Sequence, residues 1–422
     1  MQEKSNVLSF GNVDNKKDSF IDYFGEVKDT TKNIIKVIGV GGGGCNVVNN
    51  MYIEGMDSVS FAVCNTDSKS LAASPVPVKI MLGKSGLGAG ANPEKGRADA
   101  EESIDSIRKL FDDSTQMVHV VATLGGGTGT GAGPFVASIA REKGLLTIGI
   151  VTLPFYFERR PKIIKALKGL EKMRKSVDAL LIINNQQISN VYKDSHIRLD
   201  EAFQNADMVT ANSVRGISEL ITLHGKIQID FSDVKTTMQN GGGAIMAIGR
   251  ASGEKRVQNA LLNALDSPLL YGTDISKATR ILLNIYTSKE HQLYVDEIGE
   301  IDAFMDELNP NIDVIWGMTT DDSLGEDAKI TIVATGMDNT LPEIAHKAET
   351  GEAYDEIIDA LYGPRGNRTD VTIKGGEEGS ETEPIDITAV EVPSTDDPAK
   401  KFLERVKTRI INTLNMIMTP DE

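Results

Sequence analysis

The chain has 422 residues, 40% of them apolar, and a formal net charge of -17; this suits a soluble protein of two or three domains and excludes a single compact core. Such a charge repels nucleic acid and anionic lipid outside a local basic segment, so an anionic ligand needs backbone amides or a metal to hold it. The two cysteines, Cys45 and Cys64, give no disulfide framework and suit a reducing cytoplasm.

Residues 1–33 are polar and lack periodicity, the composition of a flexible arm, and contain no apolar core of the signal-peptide kind. From Ile34 short apolar, β-branched runs begin: IIKVIGV, VSFAVCN (59–65), MVHVVAT (117–123), LTIGIVT (146–152) and ALLIIN (179–184). Between them the sequence predicts helices. One follows the first glycines to Glu54. A second runs from the cap pair Asn92–Pro93 to Phe111, and a third starts at Pro134. A basic helix follows the fourth run, and a long helix starts near Asp200. Strands apolar throughout and alternating with helices imply a doubly wound parallel sheet covered on both faces. Residues 34–224 therefore read as one α/β domain with a long connecting helix.

After His224–Gly225 the pattern changes. AIMAIGRAS, ATRILLNIYTS, NIDVIWGM and AKITIVATGM predict strands of a second sheet, with helices over 254–265 and 295–307, so residues 225–338 read as a second α/β domain. Residues 339–398 hold a helical patch to Tyr362 and an acidic linker expected to be disordered. From Pro364 to Pro398 the linker has nine acids against three bases. Residues 399–422 turn basic and amphipathic. The longest apolar stretch, Leu145 to Phe155, is too short to span a membrane.

Two glycine loops carry the chemistry. Gly39-Val-Gly41-Gly42-Gly43-Gly44-Cys45-Asn46 follows a strand and opens a helix, which satisfies the dinucleotide fingerprint. Gly125-Gly126-Gly127-Thr128-Gly129-Thr130-Gly131 does the same with two hydroxyls added. Unhindered amides at a helix N-terminus cradle anions, and two such loops on neighbouring strand ends can grip a di- or triphosphate from both sides. A dinucleotide oxidoreductase would explain the first loop, with Asp67 placed for a ribose, but not the second. No G-x-x-x-x-G-K-[ST] occurs, which excludes a P-loop NTPase.

GGGTGTG, with IKVIGVGGGGCN, FAVCNTD, GLGAGANPEKGRADAEES and QIDFSDVKTTM, resembles the tubulin/FtsZ family over residues 34–337. The resemblance implies a GTPase that polymerises head to tail into division-ring filaments, with GTP and Mg2+ as cofactors. It assigns the phosphates to Gly42, Gly43, Gly44, Cys45, Asn46, Gly126, Gly127, Thr128, Gly129 and Thr130. It assigns the ribose to Glu158 and Lys162, and the guanine to Asn185, Phe203 and Asp207. Lys162 replaces the family's usual Arg, keeping the charge and losing the fork. Asp230 and Asp233 are implied as catalytic acids that enter the next subunit's pocket, with Gln228 where relatives carry Asn. By residues alone, two acids three apart read as helix-start acids facing solvent, and Asn185 and Asp207 as a cap or solvated face.

The last segment repeats Phe402, Val406, Ile410, Leu414 and Ile417 at helical spacing, with Lys400, Lys401, Arg405, Lys407 and Arg409 crowding its first half. It is marginal as a free helix. By position, the family resemblance implies docking on membrane-tethering and regulatory division proteins; packing on the chain's own second domain and lying on anionic membrane are the alternatives. A tubulin-like filament that barely hydrolyses GTP also fits the sequence.

Overall fold

The computed structural model describes residues 33–56, 58–191, 198–267, 275–337 and 351–362, with 20–21, 27–28 and 404. Within the expected N-terminal arm, β1 (Phe20–Ile21) and β2 (Val27–Lys28) pair antiparallel. The acidic linker and most of the basic terminal segment lie outside the described residues.

The first half alternates strands and helices as follows. β3 (Ile35–Val40), α1 (Gly41–Glu54), β4 (Val59–Asn65), α2 (Ser68–Ala73) and β5 (Val78–Met81) come first. Next are α3 (Pro93–Glu102), α4 (Ile104–Lys109), β6 (Met117–Thr123), α5 (Thr128–Glu142) and β7 (Leu146–Leu153). Then follow α6 (Arg160–Ser176), β8 (Ala179–Asn184), α7 (Asn185–Val191) and α8 (Leu199–Thr222). The second half holds β9 (Gly225–Ile227), α9 (Phe231–Met238), β10 (Gly242–Ala251), α10 (Arg256–Leu265), β11 (Arg280–Thr287), α11 (Val295–Glu307), β12 (Asp313–Thr320) and β13 (Ala328–Thr335). A final helix, α12, covers Gly351–Tyr362.

The predicted parallel ladder is present: β5, β4, β3, β6, β7 and β8 are neighbours and all parallel. The expected second sheet is not separate. β10 pairs parallel with the start of β8 for three residues, Gly242 to Ala244 against Ala179 to Leu181. Through that seam the order continues β10-β13-β11-β12-β9 in one eleven-stranded sheet. The seam is short and glycine-rich, and α8 packs against strands of both halves.

Alternation along each strand sends side chains to two faces. Val37, Val63 and Ile148 join α1 and α8 on one face; Ile38, Val120 and Val151 join α5 and α6 on the other. In the second half, Leu282 and Tyr286 face α8, whereas Ile281, Leu283 and Ile285 pack under α10 and α11. Fully buried side chains such as Ile35, Ile38 and Phe304 each contribute about 1.5–3 kcal/mol.

Two helix boundaries differ from expectation. α5 begins at Thr128, inside the glycine loop, and carries Pro134 within it. The helix predicted over 93–111 breaks at Ser103, whose hydroxyl accepts from Gly83 N–H and donates to the Met81 carbonyl. α12 is the helical patch expected up to Tyr362. Its Tyr354, Ile357, Ile358 and Tyr362 belong to the core beside α6, and the Tyr362 hydroxyl donates to the Pro154 carbonyl at 2.9 Å.

Candidate nucleotide-binding site

The site lies at the C-terminal ends of β3 and β6, where the two glycine loops open α1 and α5. Gly41 takes a φ of +76°, which only glycine adopts without strain. A Cβ built on Gly41 would stand 2.7 Å from the Gly129 nitrogen, so the two loops abut.

The remaining glycines separate into two kinds. Gly44 and Gly129 are packing glycines: a Cβ there would fall 2.3 Å from the Val121 carbonyl oxygen and 2.4 Å from that of Thr123. Gly43 and Gly127 are also enclosed, by Thr123 and by Ala89 with Asn92. Gly42 and Gly126 are different. A Cβ on either would meet nothing within 4 Å, so their bareness serves no packing inside the chain and leaves room for a ligand.

Helix capping points the same way. α2, α3 and α9 start with side-chain caps from Asp67, Asn92 and Asp230. α1 and α5 start at Val40 and Gly127 with no side-chain cap and no acid in the first turn. Their first-turn amides are thus left for an anion, reinforced by the positive end of each helix dipole.

Cys45 contributes only backbone. Its thiol is buried against the Gly39 and Cys64 carbonyls, and burial pushes it up to about 12. Asn46 is exposed one turn after Gly42, on the same face. The Thr128 hydroxyl meets that of Thr66 at 2.6 Å, and the Thr130 hydroxyl, buried, accepts from Gly125 N–H at 2.8 Å. Both hydroxyls thus also brace the loop. Thr66 was not singled out in the sequence; its position in the FAVCNTD segment was the available signal.

Glu158 and Lys162 form an ion pair beside the start of the second loop, where a Cβ on Gly125 would lie 2.8 Å from the Lys162 Cγ. Arg159 between them holds a φ of +78°, a strained value for a non-glycine residue. Phe203 and Asp207 are four apart on α8 and share a face. Phe203 is 40% exposed with one edge against Phe155, ring centroids 4.9 Å apart. Burial pushes the Asp207 carboxyl up to about 6. Asn185 is buried and its Oδ1 has no hydrogen-bond partner. A buried orphan acceptor costs about 1–3 kcal/mol, so it stands ready for a donor. α12 buttresses this corner, unforeseen from the sequence: Asn184 Nδ2 donates to the Leu361 carbonyl at 2.7 Å.

Asp230 and Asp233 are not in this cluster. α1 starts at the glycine loops and spans about 20 Å; Glu54 at its far end pairs with Arg215 on α8. α8 continues for seven residues past Arg215 before the chain turns to β9 and Asp230. Asn240, just after α9, accepts from Arg141 at the far end of α5. The acids therefore stand at the end of the molecule remote from the glycine loops.

A sheet with two uncapped helices aimed at one ligand space, an aromatic edge and an orphan amide oxygen define a nucleotide-binding α/β protein. The comparisons give the family. The Tubulin/FtsZ family, GTPase domain, matches residues 34–193, and the FtsZ family, C-terminal domain, matches residues 242–338. The chain is 50% identical over 309 residues to "Cell division protein FtsZ" of Porphyromonas gingivalis, covering 72% of this chain and 67% of that protein. It is 42% identical over 305 residues to the protein of the same name from Aquifex aeolicus, covering 71% and 82%. The solved "FtsZ dimer, empty (M. jannaschii)" superposes with a TM-score of 0.67 at 38% identity, over 73% of this chain and 90% of that one. This chain belongs to the tubulin/FtsZ family, and it is a guanine-nucleotide-binding, tubulin-like GTPase. The oxidoreductase alternative, which left the second loop unused, is set aside.

Proposed function

We propose that the chain polymerises head to tail into filaments of the cell-division ring and hydrolyses GTP at the contact between subunits. The observation that supports this is the distance between the halves of the site: phosphate cradle and acids occupy opposite ends of one subunit. Stacking subunits end to end brings Asp230 and Asp233 of one against the cradle of the next. The similarity to a solved dimer agrees with such self-assembly.

In this reading the amides of Gly42, Gly43, Gly44, Cys45 and Asn46 and of Gly126 to Thr130 bind the phosphates. Glu158 and Lys162 hold the ribose. Asn185 and Asp207 read the guanine edge, and Phe203 packs on its face. The incoming Asp230 and Asp233 orient a water and accept its proton as it attacks the γ-phosphate. Among the described residues no group of three or more His, Cys, Asp or Glu is placed to cage a metal. Asp230 and Asp233 of the incoming subunit would help hold a Mg2+ bound with the nucleotide, which would supply neutralisation of phosphate charge. No helix among the described residues is long and apolar enough to cross a membrane, and recruitment to the division site falls to partners of the C-terminal segment.

Light scattering with GTP, GDP and ATP tests the proposal. Scattering is expected with GTP alone, and equal scattering in all three would refute nucleotide-gated assembly.

A further inference from the structure

α12 follows the last strand of the second half in sequence, yet it shares a core with α6 in the first half. Lys168 stands over the Tyr354 ring, 5.9 Å from its centroid, and Arg160 pairs with Asp355 at 2.8 Å. The last two residues of α12 reach the ends of β7 and β8, beside the residues assigned to the nucleoside. The Tyr362 hydroxyl donates to the Pro154 carbonyl at 2.9 Å, and its ring lies 5.9 Å from that of Tyr156. The Leu361 carbonyl accepts from Asn184 Nδ2 at 2.7 Å.

These two anchors are joined. Asn184 Oδ1 accepts from the Gln186 N–H, and Gln186 Oε1 accepts from the Tyr156 N–H, each at 3.0 Å. Asn185, with its orphan Oδ1, lies between Asn184 and Gln186 at the start of α7. Phe155 donates its N–H to Glu158 at 3.0 Å and packs on Phe203. One network therefore runs from the end of α12 to the base-facing amide on one side and the ribose carboxylate on the other. The turn it holds is strained. Arg159 takes φ +78° and ψ 153°, a conformation suited to glycine, and such strain persists only where the surroundings over-determine it. α12 grips both sides of that turn, Pro154 through Tyr362 and Arg160 through Asp355. Burial, with the negative charge of Glu158, pushes the Tyr362 phenol up and keeps it a donor.

We propose that α12 is a positioning element of the nucleotide site: Tyr362, through Pro154, sets the ribose turn, and Leu361, through Asn184, sets the guanine-facing Asn185. The inference rests on the nucleoside assignments proposed above and adds a coupling to them. A site whose side chains are held by a docked helix binds well only while that helix is docked. By reciprocity, the nucleoside holds α12 down as firmly as α12 prepares the site. Occupancy of the pocket is thereby sensed at the point where the chain leaves the folded first half for the C-terminal segment.

GDP affinity is measured by titration calorimetry on the full chain, on Tyr362→Phe and on Phe203→Ala, below the assembly concentration. Tyr362→Phe keeps the ring and loses only the donor. Its Kd for GDP should rise roughly threefold to tenfold, the worth of one hydrogen bond, with the melting curve of the nucleotide-free protein nearly unchanged. Amide hydrogen exchange on the wild type gives the readout that a merely structural role would not move. GDP should slow exchange over residues 351–362, whereas inorganic tripolyphosphate, which offers the cradle no nucleoside, should not. Exchange there that is the same with and without GDP would overturn the proposal, as would equal protection by tripolyphosphate. Wild-type GDP affinity in Tyr362→Phe beside a weakened Phe203→Ala would also overturn it. Wild-type affinity in Phe203→Ala would instead remove the nucleoside assignment, and the proposal with it.

Discussion

Asp230 and Asp233 cap each other. The Asp233 carboxylate accepts from the Asp230 backbone N–H, and the Asp230 carboxylate from that of Asp233, each at 2.9 Å. The reciprocal box starts α9 and fixes both side chains as a pair. The solvated helix-start reading of these acids and the family's catalytic reading are therefore compatible: one oxygen of each carboxylate anchors the helix, and the box orients the pair for a neighbour.

The two roles separate by substitution. Asn caps nearly as well as Asp, so Asp230→Asn and Asp233→Asn should keep the thermal midpoint while phosphate release falls steeply. The Ala variants should also lose about 1 kcal/mol of stability through the cap. Full turnover in the Asn variants would remove the catalytic role.

The glycines should divide as their surroundings do. Gly42→Ala and Gly126→Ala should fold normally and bind GTP weakly, because the added methyl enters ligand space. Gly44→Ala should fail to fold or lose several kcal/mol, since its methyl meets the Val121 backbone at 2.3 Å. GTP titration beside thermal melting distinguishes them; unimpaired GTP binding by both Gly42→Ala and Gly126→Ala would contradict the cradle.

Asp207 should make GTP binding pH-dependent. Burial holds its carboxyl at about 6, and in the function proposed for it the ionised form accepts from guanine. Affinity should fall as pH drops through 6, by up to about tenfold per unit. Asp207→Asn should flatten that profile and relax GTP/ATP discrimination by roughly 1–3 kcal/mol. Because the raised value means the fold disfavours the charged carboxylate, the Asn protein should melt higher at pH 7. Unchanged GTP/ATP selectivity would sink the assignment.

His119, central in β6, is fully buried with neither ring nitrogen hydrogen-bonded, and burial depresses it to about 3. The unfolded chain binds the proton near 6.5. Stability from the neutral ring is therefore complete above 6.5 and is lost as pH falls towards 3, by up to about 1.4 kcal/mol per pH unit. His119→Leu should remove that component from a denaturation series at pH 7 to 4. An identical acid slope in both proteins would show that His119 is not its source.

Much of this was legible in the sequence because apolar β-branched runs between glycine turns allow few folds. Val37 to Val40 and Val118 to Ala122 could be little else than buried parallel strands. The misreadings arose where the cause was distant. The β8–β10 seam joins residues some sixty apart through Gly242 and Gly243 and leaves no local pattern. β5, with Val78 exposed, and the polar α7 lack apolar periodicity. In the site, the amides of both loops were readable from glycine spacing, but not that Thr128 and Thr130 turn inward, which depends on Thr66 and the Gly125 amide. The composition of α9 suggested only helix-start acids; their remoteness from the cradle emerges from the Arg215–Glu54 pairing and the course of α8.

The central claim is that one subunit's acids serve another's nucleotide, and mixing tests it most directly. Asp233→Asn retains a cradle without a complete acid pair; Gly126→Ala retains the acids with a damaged cradle. Each alone should release little phosphate from GTP. Mixed above the assembly threshold, they should recover part of the wild-type rate, and wild-type activity per subunit should itself rise with protein concentration. No recovery on mixing, together with a wild-type rate per subunit that is flat from dilute to concentrated protein, would contradict the shared site.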